Sequence, residues 1–192
     1  TLHDGVLILS GGSDGKQPNA SLYEGAVSAT DVKTGLKAFE DIEDISIVAA
    51  PGLAGLDLNG AKAGILHLQS HVERMSYRVA IVDSRKGQSI GEVRQFRAAF
   101  DSKHMAFYYP WVKVLDPVTR KEIVLPPSGF IAGIYARNDI ERGVWKAPAN
   151  EVVSGAIGFE LMLNKAQQEV LNPEGINCFR YFEGRGMRLW GA

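Results

Sequence analysis

His67 and His71 stand four residues apart in the stretch AKAGILHLQSHVER, a spacing that places two imidazoles on one helical face and is the minimal geometry for two metal ligands. The residue after His67 is Leu68 rather than glutamate, so the HExxH metalloprotease pattern is absent, and no cysteine or carboxylate cluster lies close in sequence. The pair therefore reads as surface or boundary histidines. The run LILSGGSDGKQ invites a phosphate-loop reading, but Ser10 stands where that loop needs its first glycine and Gln17 where it needs Ser or Thr to hold Mg²⁺. Its glycines are expected to serve a tight turn. A hydrolase needs an activated nucleophile, a base and an oxyanion hole. No GxSxG elbow occurs, and the raw material for a triad is limited to Asp83-Ser84, scattered serines and the four histidines His3, His67, His71 and His104. Asp83 is more simply a strand-end carboxylate capping a turn. Trp111, Trp145 and Trp190, with Phe107, Tyr108 and Tyr109, could stack bases, yet without a basic patch beside them they read as core or interface residues. Catalytic, cofactor-binding and metal-ligating residues are all expected to be none.

Composition agrees. Of the 192 residues 45% are apolar and 22% charged, and 21 Lys+Arg against 22 Asp+Glu leave a formal charge of -1. A disordered tail is excluded, and a chain of this length buries roughly 70% of the surface its unfolded form exposes. Nucleic-acid binding calls for a surplus of Lys and Arg that is absent. The longest largely apolar stretch, 45–58, is interrupted by Ser46, Pro51, Gly52, Gly55 and Asp57, which leaves no membrane-spanning run. The lone Cys178 cannot form an internal disulfide. No targeting leader can be read, and a start at Thr1 suggests a piece of a longer protein.

The elements that would position these residues follow from periodicity. GVLILS (5–10) is expected as a buried strand, followed after a loop by a helix capped at Thr30 or Asp31 and running to Phe39. ISIVAA (45–50) and YRVAIVD (77–83) read as further buried strands. Between them Ala61, Ile65, Leu68 and Val72 line one helical face, and Ile90, Val93, Phe96 and Phe100 line another beyond. Near-continuous apolar strands alternating with amphipathic helices imply an α/β fold whose mostly parallel sheet is covered on both faces. WVKVLDPVTRKEIVLPP predicts a hairpin about Asp116-Pro117. Ser128 opens a helix whose Gly129, Ala132, Gly133 and Ala136 would pack closely on the sheet. AIGFELML alternates as a strand, Asn164 and Gln167 form a capping box for KAQQEVL, and Asn172-Pro173 ends that helix. INCFRYF and MRLW form a last hairpin around Glu183–Gly186. With no repeat or linker, residues 1–192 read as a single domain.

Several blocks in the carboxyl-terminal third are specific: Gly143-Val144-Trp145-Lys146-Ala147-Pro148-Ala149-Asn150, Leu171-Asn172-Pro173-Glu174-Gly175-Ile176-Asn177, Gly184-Arg185-Gly186 and Trp190-Gly191-Ala192. In this order and spacing they closely resemble the contractile tail sheath proteins of bacteriophages and related injection machines. Leu9–Gly15, Thr34-Gly35-Leu36, Phe39-Glu40-Asp41, Ala49–Gly52 and Pro127–Gly133 look like the same family's earlier blocks.

The resemblance implies a structural subunit, not an enzyme. It would polymerise with copies of itself in helically stacked hexameric rings around an inner tube, above a baseplate, and contract to drive the tube through a target envelope. It implies a subtilisin-like central domain without the protease's motifs, no cofactor, and no nucleic-acid or membrane partner. The place implied is a virion tail or an extracellular contractile particle assembled in the bacterial cytoplasm. The motif residues, with Arg180 of the final hairpin, become structural or interface candidates, while the family's amino-terminal arm and carboxyl-terminal tube-contacting region are expected to be missing. An α/β hydrolase sharing the fold is the alternative. Closely matched acid and base suggest that acidic residues 40–44 and basic Arg180, Arg185 and Arg188 pair between neighbours and exchange partners on contraction.

Overall fold

The computed structural model describes residues 10–191; the expected strand 5–10 falls almost wholly outside them. Its main sheet has six strands in the order β1-β2-β3-β8-β9-β6. Four are parallel: β1 (Ile47–Ala49), β2 (Val79–Asp83), β3 (Met105–Tyr109) and β8 (Ile176–Phe182). β9 (Gly186–Leu189) returns antiparallel to β8, and β6 (Glu151–Val152) pairs antiparallel to β9 at the edge. A second, antiparallel sheet joins β4 (Val112–Leu115) to β5 (Glu122–Leu125) and to β7 (Ala156–Phe159). The α/β expectation, with hairpins toward the carboxyl end, matches this architecture.

Alternation along the parallel strands sends side chains to two cores, as a doubly covered sheet requires. Ala80, Val82, Phe107, Tyr109, Ile176 and Cys178 face one core with α2 (Leu58–Met75), α3 (Ile90–Arg97) and α5 (Lys165–Leu171). Ile81, Tyr108 and Phe179 face the other, against α4 (Ser128–Glu141) and the small sheet. Caps set the helix starts. Ser89 and Glu92 form a reciprocal capping box on α3, and Asn164 and Gln167 form the expected one on α5.

Four expectations change. The helix to Phe39 is only a 3₁₀ turn, Gly35–Phe39, because Asp31 takes a positive φ and Val27 bridges to Lys33 in a tight loop; a separate short helix, α1 (Ala20–Glu24), precedes it. AIGFELML leaves its strand after Phe159, since Leu161 and Met162 are exposed. In α4, Gly129, Gly133 and Ala136 face solvent; Ser128, Ile131, Ile134 and Asn138 make the packing face. Phe107, Tyr108 and Tyr109, singled out as aromatics, form a central strand that the pattern analysis omitted, buried because both sheet faces are covered.

Candidate functional site

The hydrolytic candidates meet at the carboxyl-terminal end of β2. Asp83 Oδ1 accepts a 2.6 Å bond from the backbone N–H of Ser128, so the carboxylate caps α4 rather than a turn. Burial nonetheless pushes its pKa up to about 6, the Ser128 backbone hydrogen bond opposing the shift. Ser84 is locked in place by its backbone, its N–H on Tyr108 O at 3.1 Å and its carbonyl on Trp111 Nε1 at 2.7 Å. The hydroxyls of Ser84 and Ser128 are buried with no protein partner.

The described histidines are elsewhere. His104 lies at the opposite end of the sheet, its carbonyl accepting from Ala80 N, while His67 and His71 sit on α2 and His3 is outside the described residues. Among the described residues, Asp83, Ser84 and Ser128 thus have no histidine beside them to activate a serine.

The metal reading fails on geometry. His67 Nδ1 lies 3.5 Å from Glu24, whereas His71 is buried and its Nε2 meets Arg78 Nη1 at 2.8 Å. That bond uses the imidazole lone pair a metal would need, and burial with the Arg78 charge holds the His71 pKa below the ordinary value. His71 is therefore a core residue, not the boundary residue expected. No group of three potential ligands occurs among the described residues. Gly11 and Gly15 take positive φ in an exposed stretch, as turn glycines do. The Cys178 thiol is buried and pushed up to about 12, which makes it an inert core group.

The motif blocks divide into buried and exposed parts. Asn172, Pro173 and Glu174 form a 3₁₀ turn ending at Gly175, and Glu174 clamps Arg94 through both carboxylate oxygens. Ile176 is fully buried. A Cβ on Gly191 would come within 3.0 Å of Asn172 Oδ1 and 3.1 Å of Asn177 Cα, so the last block locks onto the second. Trp190 packs on Phe182 at 4.5 Å between ring centroids, and Gly184 and Gly186 turn the β8–β9 hairpin with positive φ.

Along the first block, Asn138 Nδ2 donates to Lys146 O, Lys146 pairs with Glu151 at 2.9 Å, and Asn150 Oδ1 accepts from Arg185 at 2.8 Å. Pro148 and Ala147 line a shallow cleft beside Val79 and Tyr135. Gly143 carries φ +103, and Val144 and Trp145 are 83% and 82% exposed.

The expected charge patches are partly satisfied within the chain. Glu40 pairs with Arg74 and Lys33, and Asp41 with Lys33, leaving Glu43 and Asp44 without an ion pair among the described residues. Arg188 donates to Asn150 O and Arg180 to Gln168, so the arginines have neutral acceptors. The residue the sequence reading missed is Arg78. Only 3% exposed, it donates to the carbonyls of Phe39, Ile42 and Ile45 as well as meeting His71. A lone cation opening the apolar run YRVAIVD was its available signal.

The described residues bring no catalytic or ligand groups together and leave several large apolar side chains in water, Val144, Trp145 and Ile140 among them. The sequence profile of the phage tail sheath protein central domain matches residues 25–192, and the chain belongs to that family. It is 29% identical over 181 residues to the tail sheath protein of Burkholderia phage BcepMu, covering 87% of this chain and 38% of that protein. It is 26% identical over 194 aligned positions to a putative prophage major tail sheath protein of Pseudomonas aeruginosa, covering 97% and 49%. The chain thus spans less than half the length of these relatives.

Among solved structures it is similar to the anti-feeding prophage helical sheath in the contracted state, with TM-score 0.63, 34% identity and coverage of 80% of this chain and 40% of that one. The sheath complex of the extracellular contractile injection system PVC, also contracted, gives TM-score 0.63 at 27% identity, covering 83% and 43%. Family and structural likeness together make this a structural, not an enzymatic, protein, and lend the hydrolase alternative no support.

Proposed function

We propose that the polypeptide carrying this chain is a contractile sheath subunit that polymerises helically around an inner tube and shortens to drive that tube through an envelope. The observation that carries the reading is the shared fold with sheaths seen in the contracted state at 34% and 27% identity. Residues 1–192 act as one sheath core unit, since a single sheet carries both hydrophobic cores. Baseplate and tube are partners of the assembled subunit, which needs no cofactor and engages neither nucleic acid nor membrane. Assembly takes place in the bacterial cytoplasm before the tail or extracellular particle is complete. Exposed members of the motif blocks, Val144 and Trp145 above all, contact neighbouring subunits; the buried members, Ile176 and Gly191, hold the fold.

The physical logic is that of heterologous contacts. Contacts that do not close into a ring generate helices, and two packings of one rigid unit can differ in free energy. Electron microscopy of the purified polypeptide tests this: hollow striated tubes or contracted cylinders are expected. A monomer that turns over an ester or peptide substrate would overturn it.

A further inference from the structure

Beside the carboxyl-terminal end of β2, a cleft of about 260 Å³ opens between the amino-terminal parts of α2 and α3, lined by Leu58, Lys62, Arg85, Gln88, Glu92 and Gln95 among others. Three features make it a built anion site. First, Lys62 and Arg85 take part in no ion pair among the described residues. Second, the Arg85 guanidinium, which lines the cleft, is held in one place by a bond from Nη2 to Leu56 O at 3.2 Å. Third, two cations outnumber the cleft's one carboxylate, Glu92, whose Oε2 accepts from both the N–H and the hydroxyl of Ser89.

The complementary group is at the other end of the sheet. Glu43 and Asp44 are exposed just before β1, whose start is tied to the start of β2 by the bond from Val79 N to Ser46 O. Arg85 lies two residues beyond the end of β2. That strand alone separates the two ends by about 13 Å at its usual rise per residue, and no ion pair joins them within the chain. The acidic end of one copy can meet the basic cleft only on another copy. Where the contact is not reciprocated in a closed two-fold pair it is heterologous, leaves an acid and a cleft free at the two ends of every dimer, and so propagates.

Resting on the sheath reading above, we infer that the Lys62–Arg85 cleft receives a carboxylate of the Glu43-Asp44 segment from a second copy of this chain. Arg85 supplies the fixed fork and Lys62 the point charge that such a carboxylate needs.

The test is a charge-swap cycle on the purified polypeptide, followed by light scattering and electron microscopy. The pair Glu43→Lys and Asp44→Lys should weaken self-association at least about tenfold, as should Lys62→Glu alone, and their combination should restore it. Lys62→Glu is preferred to a change at Arg85 because Arg85 also ties down Leu56 O; a thermal melt equal to the parent's shows that the variant folds. Association unchanged by the reversals, or weakened but not restored by their combination, overturns the inference. So does inorganic phosphate binding at the cleft, seen as a shift of the Arg85 Nε resonance, without any weakening of association, since the site then serves a free anion. If the parent polypeptide forms no tubes under any condition, it is the sheath reading that fails.

Discussion

The two ends of the parallel sheet bury ionisable groups by opposite means. At the carboxyl-terminal end a carboxylate, Asp83, is almost fully enclosed against the first turn of α4 with one short backbone donor and no cation among its partners. At the amino-terminal end a guanidinium, Arg78, is enclosed as deeply but is saturated by three carbonyls and a neutral imidazole. Burial of a charge is tolerated when hydrogen bonds replace water, and is otherwise relieved by neutralisation. Arg78 follows the first route; Asp83 goes part of the way along the second, its pKa of about 6 still leaving it largely ionised at neutral pH. The amino-terminal end is therefore cross-linked by its charge, whereas the carboxyl-terminal end is held despite one.

The largest effect is expected where the cross-link is cut. Arg78→Ala would leave the carbonyls of Phe39, Ile42 and Ile45 without a donor and cost roughly 3–5 kcal/mol, the range for breaking a buried polar network. Chemical denaturation checks it. A loss below about 1 kcal/mol would mean that the 39–45 segment is held by packing instead, and would erase the contrast between the ends.

Asp83 should give the next largest change, with a definite sign. Its folded pKa of about 6 lies above the unfolded value near 3.8, so its contribution is fully present below pH 4 and is lost as pH rises through 6. The shift corresponds to about 3 kcal/mol, good to about half that value. Asp83→Asn keeps an acceptor for Ser128 N–H without the titration. It should raise stability at pH 8 relative to the parent and leave little difference at pH 4, as measured by melts at the two pH values.

His71 should act in the opposite direction and less strongly. Its folded pKa lies below the unfolded 6.5, so the neutral form is favoured by folding and stability falls as pH drops below 6.5. Protonation would also set two cations face to face, since Arg78 already donates to Nε2. The groups around it are Arg78, Arg74 and Glu40, of which only Glu40 favours the charged form. In the Asp83→Asn background the remaining slope below pH 6.5 should be positive with pH, and replacing His71 by Gln should flatten it.

How much of this was legible depended on whether a signal was local. The α5 capping box, the hairpin turns and the 3.6-residue stripe of α2 are written in short windows, and they stood where the residues put them. β3 was not legible because Phe107-Tyr108-Tyr109 is apolar on both faces, and only its central place in the sheet gives that pattern a strand's meaning. The outward glycines of α4 were misread for a related reason: small residues mark close approach, and nothing local says whether the approaching surface belongs to the same chain. At the candidate site, the neighbouring Asp83 and Ser84 at the end of β2 were readable from the sequence. The Arg78 hub and the Lys62–Arg85 cleft were not, since each gathers residues more than twenty positions apart.

The smallest expected effect on stability comes from Trp145, and it sharpens the difference between what holds the fold and what the fold presents. Its ring is 82% exposed beside Val144 at 83%, and Ile140 on the last turn of α4 is 86% exposed. Truncating so exposed a side chain removes little buried area, so Trp145→Ala should change the unfolding free energy by no more than about 0.5 kcal/mol. A solvent-exposed tryptophan that contributes so little to its own fold is expected to matter where a partner covers it, because buried aromatic anchors dominate interface energetics. The same variant should therefore weaken tube formation while leaving the melt unchanged, and Ile176→Ala should do the reverse in the isolated chain, lowering stability by about 2–5 kcal/mol. Equal losses of stability from both substitutions would show that the GVWKAPAN loop is part of the core scaffold, and its exposure would then need another reason.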